Sequence, residues 1–252
     1  MKNKSNFKIL LVYPNIQMCE MMPYSIGLLT AILRKAGFTV DLFDTTFYVD
    51  KVNEQYEAYH DYVQEFSWKE KGNIYKTDVI KDFHKKIEEF GPNLIAMSVV
   101  ENTYPTARTM IRSLKEGMKK IPVMWGGVFA TFATKIILND NIGDYVCRGE
   151  GDDAVLELCN RLYEGKPSHD VQNFWVKKDG KIYKNKMGPL ADLENSPLPD
   201  YNLFANHAIY RAMQGKVRRT IGLETQRGCP YTCTYCNSPS QVNIHKKEIG
   251  SP

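Results

Sequence analysis

Between residues 7 and 165 the chain alternates short apolar runs with amphipathic segments, and this alternation constrains the fold more than any other feature. Parallel strands need crossovers long enough to be helices, so the pattern specifies a parallel sheet covered by helices. Strands are predicted at 8–13, 39–43, 94–100, 123–125 and 145–147. Helices are predicted at about 23–36, 78–90, 104–119 and 152–164. In the first helix Ile26, Leu29, Ile32, Leu33 and Ala36 recur at a 3.6-residue period, and Gly37 provides a C-terminal cap. The expected fold class is α/β: a doubly wound, five-stranded parallel sheet with right-handed crossovers, occupying residues 1–168.

Residues 45–77 interrupt the alternation. Tyr56, Tyr59, Val63 and Phe66 would share one helical face, so this is an inserted helix on the domain edge or a lid over a flat ligand or the next domain. Residues 169–216 are expected to hold a hairpin (Phe174-Trp175-Val176 turning through Lys178-Asp179-Gly180), a linker from Gly188 to Asp200 with three prolines, and a short helical piece at 203–213. In residues 217–252 the apolar run Ile221-Gly222-Leu223 reads as a strand leading into a cysteine cluster.

Composition excludes several function classes. The net charge of +4 is scattered among acidic residues, so no nucleic-acid footprint is visible. Apolar runs such as Ile9 to Tyr13 fall far below the ~20 residues that span a bilayer, and no secretory cleavage site follows. A cytoplasmic protein with reduced thiols, acting on neither nucleic acid nor membrane, is expected.

In an open parallel sheet, ligands bind beyond the carboxyl ends of the strands, where the strand order reverses. The loops there are 15–22, 98–103, 126–131 and 149–152, so Ser98, Gly126, Gly127, Gly149, Glu150 and Gly151 are candidate ligand contacts. Two of these loops are glycine-rich, which permits close backbone approach. No GxGxxG follows the first strand and no GxxxxGK occurs, which disfavours a dinucleotide or nucleoside triphosphate.

Cys229, Cys233 and Cys236 follow a CxxxCxxC spacing. Four ligands close a structural zinc site, whereas three leave one position open on a cubane or a catalytic metal.

The run from Arg227 to Asn237 resembles the radical S-adenosylmethionine signature, three cysteines with an aromatic before the last. Ahead of it, Met22-Pro23-Tyr24-Ser25-Ile26-Gly27-Leu28, the 126–131 and 149–151 loops, and Leu198-Pro199-Asp200-Tyr201 resemble the cobalamin-binding domain of one large subfamily. The resemblance covers essentially the whole chain and implies a Rossmann/flavodoxin-like cobalamin-binding domain followed by the start of a radical SAM partial (β/α) barrel. It further implies a [4Fe-4S] cluster on Cys229, Cys233 and Cys236, S-adenosylmethionine at the open iron, and Tyr235 against the cluster and adenine. Cobalamin in the first domain, an external electron donor of the flavodoxin or ferredoxin type, and methyl transfer or related radical chemistry on a small-molecule substrate are also implied. The single DxH, Asp82-Phe83-His84, lies within a predicted helix and lacks the following glycine, so His84 is expected on a helix surface rather than at cobalt. Cys19 and Glu20 lie in the loop that approaches the lower face, and Phe129 stands where the family often has histidine.

A barrel of this kind needs on the order of 200 residues, so the polypeptide is expected to be an N-terminal piece of a longer enzyme, inactive alone and holding no catalytic residue of its own. Two alternatives stay open: a non-enzymatic module in which His245 completes a Cys₃His zinc site, and a radical enzyme whose first domain does not bind cobalamin.

Overall fold

The computed structural model describes residues 3–15, 22–48, 75, 77–214 and 216–250. Cys19, Glu20 and the aromatic segment with Tyr56, Tyr59, Val63 and Phe66 lie outside the described residues.

The five predicted strands form, as β1 (Lys8–Tyr13), β2 (Thr39–Asp44), β3 (Leu94–Ser98), β4 (Val123–Gly126) and β5 (Tyr145–Cys147). All pair in parallel, in the order β2-β1-β3-β4-β5. The chain steps from β1 outward to β2 and then back across to β3, so the order reverses between β1 and β3. Strand β1 shows why the sheet is a core. Ile9 and Leu11 face one cluster and Leu10 and Val12 the other, all of them buried. Each such side chain contributes about 1.5–3 kcal/mol by leaving water.

Helix α1 (Tyr24–Lys35) covers one face together with α6 (Asp152–Glu164). On the opposite face lie α2 (Val79–Phe90), α3 (Tyr104–Arg112) and α5 (Thr134–Asn139), which follows the short α4 (Val128–Phe132). Asp78 caps α2 by accepting the amides of Ile80 and Lys81. Helix α3 stops earlier than predicted: the Ser113 hydroxyl donates to the Met110 carbonyl, and 115–121 closes in tight turns. His84 lies mid-helix on α2, half-buried, with Nε2 3.0 Å from the Ser113 hydroxyl.

The hairpin forms, as β6 (Phe174–Lys178) and β7 (Lys181–Lys184), but it is not a detached connector. Strand β6 pairs antiparallel with β5, Cys147 opposite Phe174, and extends the sheet to seven strands. Fully buried Phe174 and nearly buried Val176 explain the docking: one face of the hairpin is apolar and closes the sheet edge.

Two expectations fail beyond it. The piece at 203–213 is not helical throughout: a single 3-10 turn (Asn206–Ile209) is followed by β8 (Tyr210–Met213), paired with β9 (Lys216–Arg219). Residues 221–223 are not a strand, because no strand lies beside them among the described residues. Ile221 and Leu223 stay 56% and 63% exposed, and the Gly222 carbonyl accepts from the Tyr201 hydroxyl instead. After the cysteines the chain forms α7 (Ser238–Ile249). No helix among the described residues is long and apolar enough to cross a membrane.

Candidate functional site

A cavity of about 230 Å³ opens at the carboxyl ends of β1, β3, β4 and β5, where the strand order reverses. All six loop residues singled out from the sequence line it: Ser98, Gly126, Gly127, Gly149, Glu150 and Gly151. Its floor is apolar, with Leu11, Ile26, Ala96, Met97, Met124 and Val155. Apolar walls with a few convergent polar groups are the usual constitution of a small-molecule site.

Gly127 begins α4 at φ +93° and ψ −179°, a conformation that glycine alone adopts readily. A Cβ there would stand 2.5 Å from the Val99 carbonyl oxygen, so the β4 loop lies directly against the β3 loop. The Thr131 hydroxyl in turn accepts the Gly149 amide at 3.0 Å, joining the loops after β4 and β5. At the head of α6, Asp152 and Asp153 complement the helix dipole. The positive end of that helix is thus already met by carboxylates, in keeping with the missing phosphate motifs.

Glu150 and Asp152 do more than line the cavity. Glu150 accepts the Ala191 amide at 2.6 Å, and Asp152 receives two hydrogen bonds from Arg227, at 3.0 and 2.9 Å. Arg227 also lies 3.3 Å from Glu150 and 2.8 Å from Glu224, and both Arg227 and Glu224 line the cavity. Burial works against the charge of Arg227. Its hydrogen bonds to Asp152 and Glu224 and the nearby carboxylates outweigh that cost and push its pKa up. Asp152 lay within the expected 149–152 loop and Tyr24 within the Met22–Leu28 motif, whereas Arg227, Glu224 and Cys147 were not foreseen as lining the cavity. The one hint was the place of Arg227 two residues before Cys229. The Cys147 thiol is pushed up to about 12, chiefly by burial, so it is an inert wall of the cavity.

The Leu198-Pro199-Asp200-Tyr201 segment straps onto α1. Asp200 pairs with Arg34 at 2.7 Å, its amide donates to the Gly27 carbonyl, and a Cβ at Gly27 would stand 2.8 Å from the Tyr201 ring. Gly27 is what lets this strap lie flat on the helix.

Cys229 and Cys233 are exposed and Cys236 is half-buried, all as free thiols. The Cys236 thiol is held below its ordinary pKa by hydrogen bonds to the Ser238 hydroxyl and amide. Among the described residues no three His, Cys, Asp or Glu side chains converge on one point. The loop therefore carries three free thiols that do not converge in this arrangement. Tyr235 is 91% exposed and packs in no core. His245 does not join the cysteines in a metal-holding group, and its Nε2 stands 3.2 Å from where a Cβ at Gly149 would lie.

An open α/β sheet with an apolar cavity at its switch point is a cofactor-binding architecture. Residues 20–159 match the B12 binding domain family, more than half of the chain, and the chain belongs to that family. It is 27% identical over 162 residues to an uncharacterized methyltransferase of Pyrococcus horikoshii, covering 64% of this chain and 34% of that protein. To cytidylyl-2-hydroxyethylphosphonate methyltransferase of Streptomyces wedmorensis it is 22% identical, covering 86% of this chain and 44% of the relative. The structure superposes on the cobalamin-dependent S-adenosylmethionine radical enzyme OxsB with a TM-score of 0.64 at 18% identity, covering 96% of this chain and 32% of that one. The superposition shares the fold. The chain thus spans about a third to under half the length of these relatives.

Proposed function

We propose that this chain binds cobalamin in the switch-point cavity and, through Cys229, Cys233 and Cys236, a [4Fe-4S] cluster that takes S-adenosylmethionine, as part of a radical enzyme of the methyltransferase type. The observation that carries the reading is the convergence of three loops of the B12-binding sheet and the arm just before the cysteines on one cavity. Its apolar floor and glycine-lined edge fit in kind the flat, apolar benzimidazole arm of cobalamin. Among the described residues no histidine lines it.

When bound, cobalamin supplies a methyl carrier, and the cluster supplies an open iron position and an electron from a flavodoxin- or ferredoxin-type donor. The chain's own residues do the positioning. Gly126 and Gly127 let backbone approach the ligand, Thr131 ties the two glycine loops together, and Arg227 holds the cysteine arm at the cavity mouth. Tyr235, exposed beside the last cysteine, is free to pack on the cluster and adenine. A cytoplasmic setting follows from the reduced thiols this chemistry needs. The reading of methyl transfer follows the two methyltransferases among the relatives, which stand beside cyclases such as the anaerobic magnesium-protoporphyrin IX monomethyl ester cyclase of Rubrivivax gelatinosus, 24% identical over 159 residues.

Anaerobic reconstitution with iron and sulfide tests the metal half of the proposal. About four irons per chain are expected, falling to near none in Cys229→Ser. A single tight zinc and no bound sulfide would refute it.

A further inference from the structure

Both ends of the cysteine segment are anchored on the same short stretch, residues 148–152. On its N-terminal side, Arg227 holds Asp152 with two hydrogen bonds and reaches Glu150. On its C-terminal side, Glu248 of α7 pairs with Arg148 at 2.6 Å and accepts the Met187 amide. Arg148 and Glu150 belong to the β5–α6 connection, Asp152 opens α6, and Gly149 through Asp152 line the cavity. Between the two anchors Cys229, Tyr231, Cys233 and Tyr235 stand exposed. The Arg227 and Asp152 side chains are only 19% and 11% exposed. A shielded, two-pronged Arg–carboxylate pair fixes geometry as well as adding energy, unlike the surface pairs elsewhere on this protein.

We propose that Arg227 is a positioning residue that makes the cavity and the cysteine loop one coupled unit: a ligand that orders the 148–152 loop also orders the cysteines, and the reverse. The coupling is reciprocal by linkage, because both sites bias the same element. The ligand arm of the test rests on the cobalamin reading above, while the ligand-free arm stands without it.

Arg227→Met removes the charge and the fork while keeping much of the stem. Asp152→Asn weakens the same pair from the other side. Chymotrypsin reads the outcome on the full chain, because Leu223, Tyr231 and Tyr235 are exposed cleavage sites flanking the cysteines. Without ligand, each variant is expected to be cut there at least about fivefold faster than the parent, with the double variant no faster than the worse single one. The exchanged pair Arg227→Asp with Asp152→Arg is expected to recover part of the resistance. With hydroxocobalamin at micromolar concentration, the parent's cleavage slows and that of Arg227→Met does not, although both melt at similar temperatures. Equal cleavage of parent and variants, or additive effects in the double variant, overturns the proposal. If the parent binds no hydroxocobalamin, the cobalamin reading fails while the ligand-free comparison still decides the role of Arg227.

Discussion

Replacing Gly127 by alanine gives a sharp test of how the cavity edge is built. The residue sits at φ +93° and ψ −179°, and a Cβ would lie 2.5 Å from Val99 O and 2.9 Å from Val99 N. Both obstructing atoms are backbone, fixed where the Val99 amide donates to the Gly126 carbonyl at 2.9 Å, so no flexible side chain can give way. The dihedral strain costs about 1–3 kcal/mol. Relieving the overlap costs about 1–3 kcal/mol more. A total of about 2–6 kcal/mol is a large share of the ~5–15 kcal/mol that holds a domain of this size together. Each kcal/mol moves the melting point by about 2–4 °C, so Gly127→Ala is expected to melt at least about 4 °C lower by far-UV circular dichroism. Gly117→Ala is the control, since its Cβ meets nothing within 4 Å and its φ is not positive. If Gly127→Ala melts within about 2 °C of the parent, as the control should, the described packing of the β4 loop on the β3 loop is wrong.

Gly27→Ala sets helix propensity against packing. Alanine favours a helix interior by about 1 kcal/mol, yet its Cβ would press on the Tyr201 ring and Pro199, so a net loss of stability and faster proteolysis of the 189–201 strap are expected. A net gain would mean the strap is not seated on α1. Iodoacetamide at pH 8 should label Cys229 and Cys233 in the folded chain, whereas Cys147 and Cys159, buried with raised pKa values, should react only in denaturant. Mass spectrometry reads the order, and early labelling of Cys147 would contradict its burial. Burial tends to raise the pKa of Glu248, but the Arg148 and Met187 hydrogen bonds prevail and lower it. A depressed carboxylate contributes stability in full above its unfolded value of about 4.3 and loses it as pH falls through the folded value. Amide hydrogen-exchange protection of α7 should therefore fade as pH falls below that value, and Glu248→Gln should weaken the acid dependence.

The sheet was legible because β1, β3 and β5 are short, largely apolar runs separated by helix-length amphipathic segments, a pattern with few solutions. The cavity was legible for a topological reason: once five parallel strands are placed, the loops at their carboxyl ends are the ones that meet a ligand. What the sequence hid was long-range. Nothing local to Arg227 says that its partners lie 75 positions earlier at Asp152, and nothing local to Phe174 says that the hairpin will pair with β5. The apolar run Ile221–Leu223 misled because apolarity predicts a strand only where a neighbouring strand exists to pair with it. Likewise 210–213 has helix-compatible residues, but pairing with 216–219 across a tight connection decides in favour of β8. The cysteine spacing showed the donor set at once, and it carried no information on how the thiols are arranged in the free chain.

Equilibrium dialysis of the chain against hydroxocobalamin tests the central claim most directly, run beside a variant whose cavity is blocked by Ser98→Phe. About one cobalamin per parent chain is expected at micromolar concentration, with at least about a tenfold loss of affinity in Ser98→Phe. No retention by the parent, or retention that the blocked cavity leaves unchanged, would contradict the assignment of the switch-point cavity as the cobalamin site.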